Sequence, residues 1–163
     1  MKKKLLSVLL ALTMCLTLLP VTALAAEQAL TVTQNDVALS PVSAGSLAAR
    51  EYRISDDDAV IAVEGSTSKS RIVVTGNNVT INFNEVTMLL NDCNGSPIEI
   101  AEDKSVTIIF AGENKLKADA GGPGILVNQD ATLTIKEADN TPVVNSLTVT
   151  GAQQDNYTGG GDI

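Results

Sequence analysis

Asp56, Asp57 and Asp58, in "SDDDAV", are the densest carboxylate cluster of the chain. Three adjacent carboxylates suit calcium, a hard cation that takes about six to eight oxygen ligands. They suit a solvated turn between strands equally well, since Asp bonds readily to nearby backbone. Asn91, Asp92, Asn94 and Glu99 offer a second, more scattered set of oxygens. Carboxylate pairs also hydrolyse glycosides when held roughly 5–9.5 Å apart with one pKa raised. Asp56 and Asp58 on an extended strand fall near that range.

Catalysis has little else to draw on. Pectin hydrolases use Asn-Thr-Asp, Gly-His-Gly and Arg-Ile-Lys motifs, none of which is present, and the chain has no histidine. A polysaccharide lyase needs a lysine or arginine base beside calcium. Lys69 and Arg71 follow the acidic cluster, but nothing in the sequence marks either as desolvated. Cys93, in "NDCNGS", has no histidine to activate it. The expectation is a protein without catalytic residues.

Sugar binding is the other chemistry to consider. Aromatic stacking platforms are scarce: the aromatic residues are Tyr52, Phe83, Phe110 and Tyr157. The two phenylalanines follow the apolar pattern and belong to a core. Recognition would therefore be mostly polar. Asn82, Lys115, Lys117, Lys136 and Tyr157 are the candidate carbohydrate contacts, with Thr80, Thr107 and Thr134 beside them. The three lysines form a basic island that suits a uronate, or simply solvate exposed strands.

The N-terminus reads as an export signal. "MKKK" is a basic n-region, "LLSVLLALTMCLTLL" an apolar h-region, and Ala23-Leu24-Ala25 a small-x-small cleavage site. Met14 is too large to precede a lipidated Cys15. Cleavage before Ala26 leaves eight basic residues against nineteen acidic ones, a net charge of about −11. Such a chain repels nucleic acid and attracts cations. Cys93 alone survives processing, so no internal disulfide forms. The expected location is secreted or extracellular, with cell-wall association as one form of it.

The elements that would position these residues repeat. "NNVTINF", "KSVTIIF" and "TLTIKE" align Val79-Thr80-Ile81, Val106-Thr107-Ile108 and Leu133-Thr134-Ile135 at a spacing of 27 and again 27. Each alternates apolar and polar, the period of a half-buried strand. A preceding family places Ile72 and Val74, Ile98 and Ile100, and Ile125 and Val127 in correspondence. A following family aligns Val86, Leu116 and Leu147. Recurrence at this period indicates a stacked array. The fold expected is all-β, a right-handed parallel β-helix of three short strands per coil of about 27–31 residues. An antiparallel sandwich explains the alternation but not the repeated register.

The chain divides into a signal peptide at 1–25, an N-terminal strand or cap region at 26–58, and coils at 59–163. Ser46 could cap a short helix closing the first coil. "GGGDI" at the end matches "GGPGI" at 121–125, so the sequence reads as stopping where another coil begins, a fragment of a longer solenoid. A bare edge at Leu147-Thr148-Val149 would favour self-association.

These features together resemble a family. The signal peptide, "YRIS" at Tyr52–Ser55, the "VTINF", "SVTIIF" and "ATLTI" stretches, "GENKL" at Gly112–Leu116 and "GGPGI" are similar to exported β-helical proteins of Gram-positive anaerobes described as carbohydrate-binding domain-containing. The likeness covers roughly residues 52–163. It implies polysaccharide binding at the cell surface, in some members with calcium. The expected function is non-catalytic polysaccharide binding through the coil face. The alternatives are a structural stalk of a longer adhesin and a polysaccharide lyase fragment.

Overall fold

The computed structural model describes residues 29–43, 50–91, 95–119, 121–139 and 144–152. The described chain is all-β. Its strands are β1 (Thr31–Gln34), β2 (Val37–Ala38), β3 (Val42–Ser43), β4 (Arg50–Ile54), β5 (Val60–Thr67), β6 (Ser70–Val74), β7 (Val79–Leu89), β8 (Ile98–Ile100), β9 (Ser105–Ala111), β10 (Glu113–Lys117), β11 (Ile125–Val127), β12 (Thr132–Glu137) and β13 (Ser146–Thr150). The helix expected after Ser46, and Cys93, lie outside the described residues. No helix among the described residues is long and apolar enough to cross a membrane.

Two sheets form. The larger runs β12-β9-β7-β5-β1-β2, with β10 pairing β7 and β13; the smaller runs β11-β8-β6-β4-β3. Pairing between successive repeats is parallel throughout. Val79 stands opposite Val106, and Val106 opposite Leu133; Ile81, Ile108 and Ile135 form the next row. In the smaller sheet Ile72, Ile98 and Ile125 share a row, as do Val74, Ile100 and Val127. Parallel pairing already begins with β4, whose Tyr52 and Ile54 stand opposite Ile72 and Val74. Antiparallel pairing is confined to the N-terminal strands: β1 with β2 and β5, and β3 with β4.

The inward rows of both sheets meet in one core. Ile54, Ile72, Ile98 and Ile100 from the smaller sheet join Ile61, Ile81, Phe83, Val106 and Ile108 from the larger. Coverage thins toward the last repeat, where Leu133 is only part-buried and Ile135 is 46% exposed. Among the described residues β11, β12 and β13 each have one unpaired ladder edge.

The third strand family departs from the expected register. Leu116 stands opposite Met88 and Val149, not Val86 and Leu147. The shift is two residues, so the inward and outward faces are preserved. Its cause is Asn114. This side chain is fully buried and takes an inward position in an otherwise apolar column. Its Oδ1 accepts a bond from Val86 N at 2.9 Å, and its Nδ2 donates to Ala111 O, Gly112 O and Ser146 O at 2.8, 3.1 and 3.3 Å. A fully satisfied amide is stable in a core where an unpaired one is not.

Ile108 is fully buried, with stacked neighbours on both sides. Ile108→Ala should cost about 2–5 kcal/mol through the cavity it leaves. Thr107→Ala, on the outward face, should cost well under half of that. A urea titration of the two variants decides it, and equal losses would contradict the face assignment.

Candidate functional site

Each repeat turns from the smaller sheet into the larger one through a residue of left-handed conformation. These residues are Asp58, Asn78, Asp103 and Asp130, with φ between 55° and 60°. Asp and Asn tolerate this conformation better than other side-chain-bearing residues. The acidic triplet sits at the first such turn, and each of its carboxylates has a partner. Asp56 Oδ2 accepts from Gln34 Nε2 at 2.7 Å, Asp57 Oδ1 from Asn77 N at 2.7 Å, and Asp58 Oδ1 from Asn78 Nδ2 at 2.6 Å. The next turn continues the chain of bonds: Asn77 Oδ1 accepts from Ser105 N at 3.0 Å. The turns approach so closely that a Cβ on Gly76 would lie 2.3 Å from Asp56 O.

The triplet thus ties three segments together through charged acceptors. Among the described residues no group of three His, Cys, Asp or Glu side chains is arranged to hold a metal ion. The second oxygen-rich set is divided differently: Glu99 pairs with Arg71 at 3.2 Å, while Asp92 and Asn94 lie outside the described residues.

The candidate sugar contacts fall on two surfaces. Ladder rows cross the outer face of the larger sheet. One reads Thr33, Ala62, Asn82, Ile109 and Lys136; the next reads Thr31, Glu64, Asn84 and Ala111. Val60, Thr80, Thr107 and Thr134 form a third. Asn82 and Lys136 therefore share a row. Lys115 and Lys117 sit on β10, beyond the corner at Gly112, in the ladder with β13. Lys115 Nζ bonds Glu113 Oε1 at 2.7 Å, which neutralises part of the expected basic island. Tyr157 lies outside the described residues.

A depression of about 390 Å³ opens on this outer face, lined by Thr31, Thr33, Asp36, Ala62, Val63, Glu64, Asn82 and Asn84. It shares Thr33, Asp36 and Ala62 with a neighbouring hollow of about 240 Å³, and Glu64 and Asn84 with another of about 170 Å³. The three make one polar groove. Its form depends on β1, which joins the larger sheet antiparallel to β5 and then turns back into β2 through the two-residue turn at Asn35-Asp36, both in positive φ. Small Ala62 stands between Thr33 and Asn82 in the ladder row. Carboxamides, hydroxyls and carboxylates at this density offer donors and acceptors to a polyhydroxylated ligand.

Sequence periodicity could not find Thr31, Thr33 or Asp36, because β1 is antiparallel and stands outside the repeat. It also passed over a charged cluster on the smaller sheet. Glu51 is 1% exposed and receives Arg71 Nε at 3.0 Å and Nη2 at 2.6 Å, while its other oxygen rests against Arg53 Nε. The signal was present: Glu51 and Arg71 occupy corresponding positions of paired strands. This engagement gives Arg71 a structural partner.

No family model matches the chain, and comparison with curated proteins and with solved structures yields no match.

Asp57→Ala leaves Asn77 N without its acceptor at an exposed turn and should cost about 1 kcal/mol, measured by urea denaturation. Melting in millimolar calcium against chelator tests the metal role of the same residues. A rise abolished by Asp56→Asn with Asp58→Asn assigns a calcium site. An unmoved curve leaves the triplet its hydrogen-bonding role alone.

Proposed function

We propose that this chain is an exported, non-catalytic module that binds polysaccharide along the outer face of its larger sheet, its repeats being coils of a right-handed parallel β-helix. The β-helix reading is supported by parallel pairing in both sheets and by rows that recur every 27 residues in β7, β9 and β12. The export reading is supported by the basic n-region, apolar run and Ala-Leu-Ala site of the first 25 residues.

The observation that carries the binding reading is the polar groove. Its rows cross strands spaced roughly 4.8 Å apart, close to the rise per sugar of an extended polysaccharide. Asn82 and Asn84 offer two amide donors and a carbonyl each, a set that suits vicinal hydroxyls. Ile109, half-buried in the row between Asn82 and Lys136, presents an apolar surface to the C–H face of a sugar ring.

The exported chain should be retained on at least one polysaccharide in affinity electrophoresis. Asn82→Ala with Asn84→Ala should weaken that retention about tenfold, the loss of one or two net hydrogen bonds. The folding midpoint should stay near that of the wild type, because Asn82 is only half-buried and Asn84 exposed. Retention on no glycan would return the chain to the role of a structural stalk. Release of unsaturated uronates, read by absorbance, would instead make it a lyase.

A further inference from the structure

We propose that the turn between β5 and β6, together with Arg50, forms a separate seat for an anionic group of the bound polysaccharide, a carboxylate or a sulfate. The proposal rests on the polysaccharide reading and names the class of sugar it favours. A cavity of about 460 Å³ opens here, and its lining contains both Arg50 and Lys69. Both side chains are exposed. The ion pairs of the described residues use Arg53, Arg71 and Lys115, and neither Arg50 nor Lys69 takes part in them. Two cations without a carboxylate partner among the described residues, lining one cavity of a chain of net charge −8, form a local exception to its acidic surface.

The rest of the lining suits an oxyanion. Ser66, Thr67, Ser68 and Ser70 also line the cavity, and among its described lining residues none is acidic. Its walls are fixed by backbone. Arg50 N donates to Lys69 O at 2.8 Å, and Arg50 stands opposite Ser70 in the β4–β6 ladder. Thr67 Oγ1 accepts from Lys69 N at 3.2 Å and Ser70 N at 3.0 Å, which locks the turn that carries Lys69. A parallel bridge joins Ala29 to Ser66, both of which line the cavity. These bonds fix the backbone that carries both cations, and guanidinium and ammonium groups make charge-assisted bonds, which exceed neutral ones in strength. Arg50 can grip a carboxylate or sulfate with two parallel bonds while Lys69 supplies a point charge. Ser66 lines both this cavity and the groove's smallest hollow, so a sugar chain lying in the groove can reach the seat.

The test uses the exported chain and Arg50→Gln with Lys69→Gln, which removes the charges and keeps the side-chain stems. Retention is measured on polygalacturonate, its carboxyl-reduced neutral form, dextran sulfate and dextran. The wild type should prefer one or both anionic polymers. The double variant should lose about tenfold or more on them and nothing on the neutral ones. The two anionic arms separate carboxylate from sulfate. Equal retention of variant and wild type on every polymer would overturn the seat while leaving the groove's polysaccharide reading intact. A second measurement separates the two claims: inorganic sulfate and free galacturonate are titrated while the amide signals of residues 66–70 are followed by NMR. Shifts there that the variant abolishes, without retention on any polymer, support the anion seat and remove the polysaccharide reading. No shift with either anion counts against the seat.

Discussion

Every repeat must leave one sheet and enter the other at the same place, or the inward columns fall out of step. That corner is the constraint on which the remaining structure depends. It is met by a residue in the left-handed conformation: Asp58, Asn78, Asp103 and Asp130 in succession. A β-branched residue there would be strained, and a one-residue slip would turn the apolar set of the next strand to solvent. The corners also bond to one another. Asp58 N donates to Asn77 O at 2.9 Å, and Asp103 N to Gln129 O at 3.2 Å. Backbone groups that leave the ladders at a turn thus regain partners on the neighbouring repeat. Close stacking of corners is what makes a Cβ at Gly76 intolerable.

The second corner, within β5 and β7 and between β9 and β10, is solved differently. Gly65, Glu85 and Gly112 hold positive φ there. Glu85 is the bulged residue, because Glu64 pairs with Asn84 and Gly65 with Val86. Its extra position turns β7, so that the burial alternation changes phase at Asn84-Glu85. Asn114 then fills the space behind this bend. One buried amide closes four hydrogen bonds, to Val86 N and to three carbonyls. The polar cost of the bend is met inside the core, and the apolar columns resume at Met88 and Leu116.

These two solutions explain what was legible in the sequence. The rows of Val79, Val106 and Leu133 could be read because the residues are apolar, alternate with threonine and recur at a constant interval. The row of Met88, Leu116 and Val149 could not, because matching apolar residues alone steps over Asn114 and moves the register by two. The acidic triplet was conspicuous, yet its engagement with Gln34, Asn77 and Asn78 depends on the stacking of corners, which composition does not carry. Asn82 and Lys136 were placed on the outward face by alternation and do share a row. The lysines of β10 were separated from them by the corner at Gly112, a bend that linear spacing does not report.

Chemistry gathers where the repeat is interrupted. Within the periodic part, inward positions belong to the core, and one outward row repeats threonine at Thr80, Thr107 and Thr134, a residue suited to a strand surface and offering one hydroxyl. The N-terminal strands break this uniformity. β1 runs antiparallel to β5, extends the rows of Asn82 and Asn84 with Thr33 and Thr31, and with Asp36 completes the lining of the groove. At the opposite end of β5, the turn through Ser68 and Lys69 meets Arg50 and opens the cationic cavity. Both features depend on segments that do not repeat, laid against segments that do. A regular array supplies rigidity and a level surface, while selective recognition requires a place where one position differs from the next. In this chain the irregular N-terminal segments supply that difference, and the parallel rows behind them hold it in position.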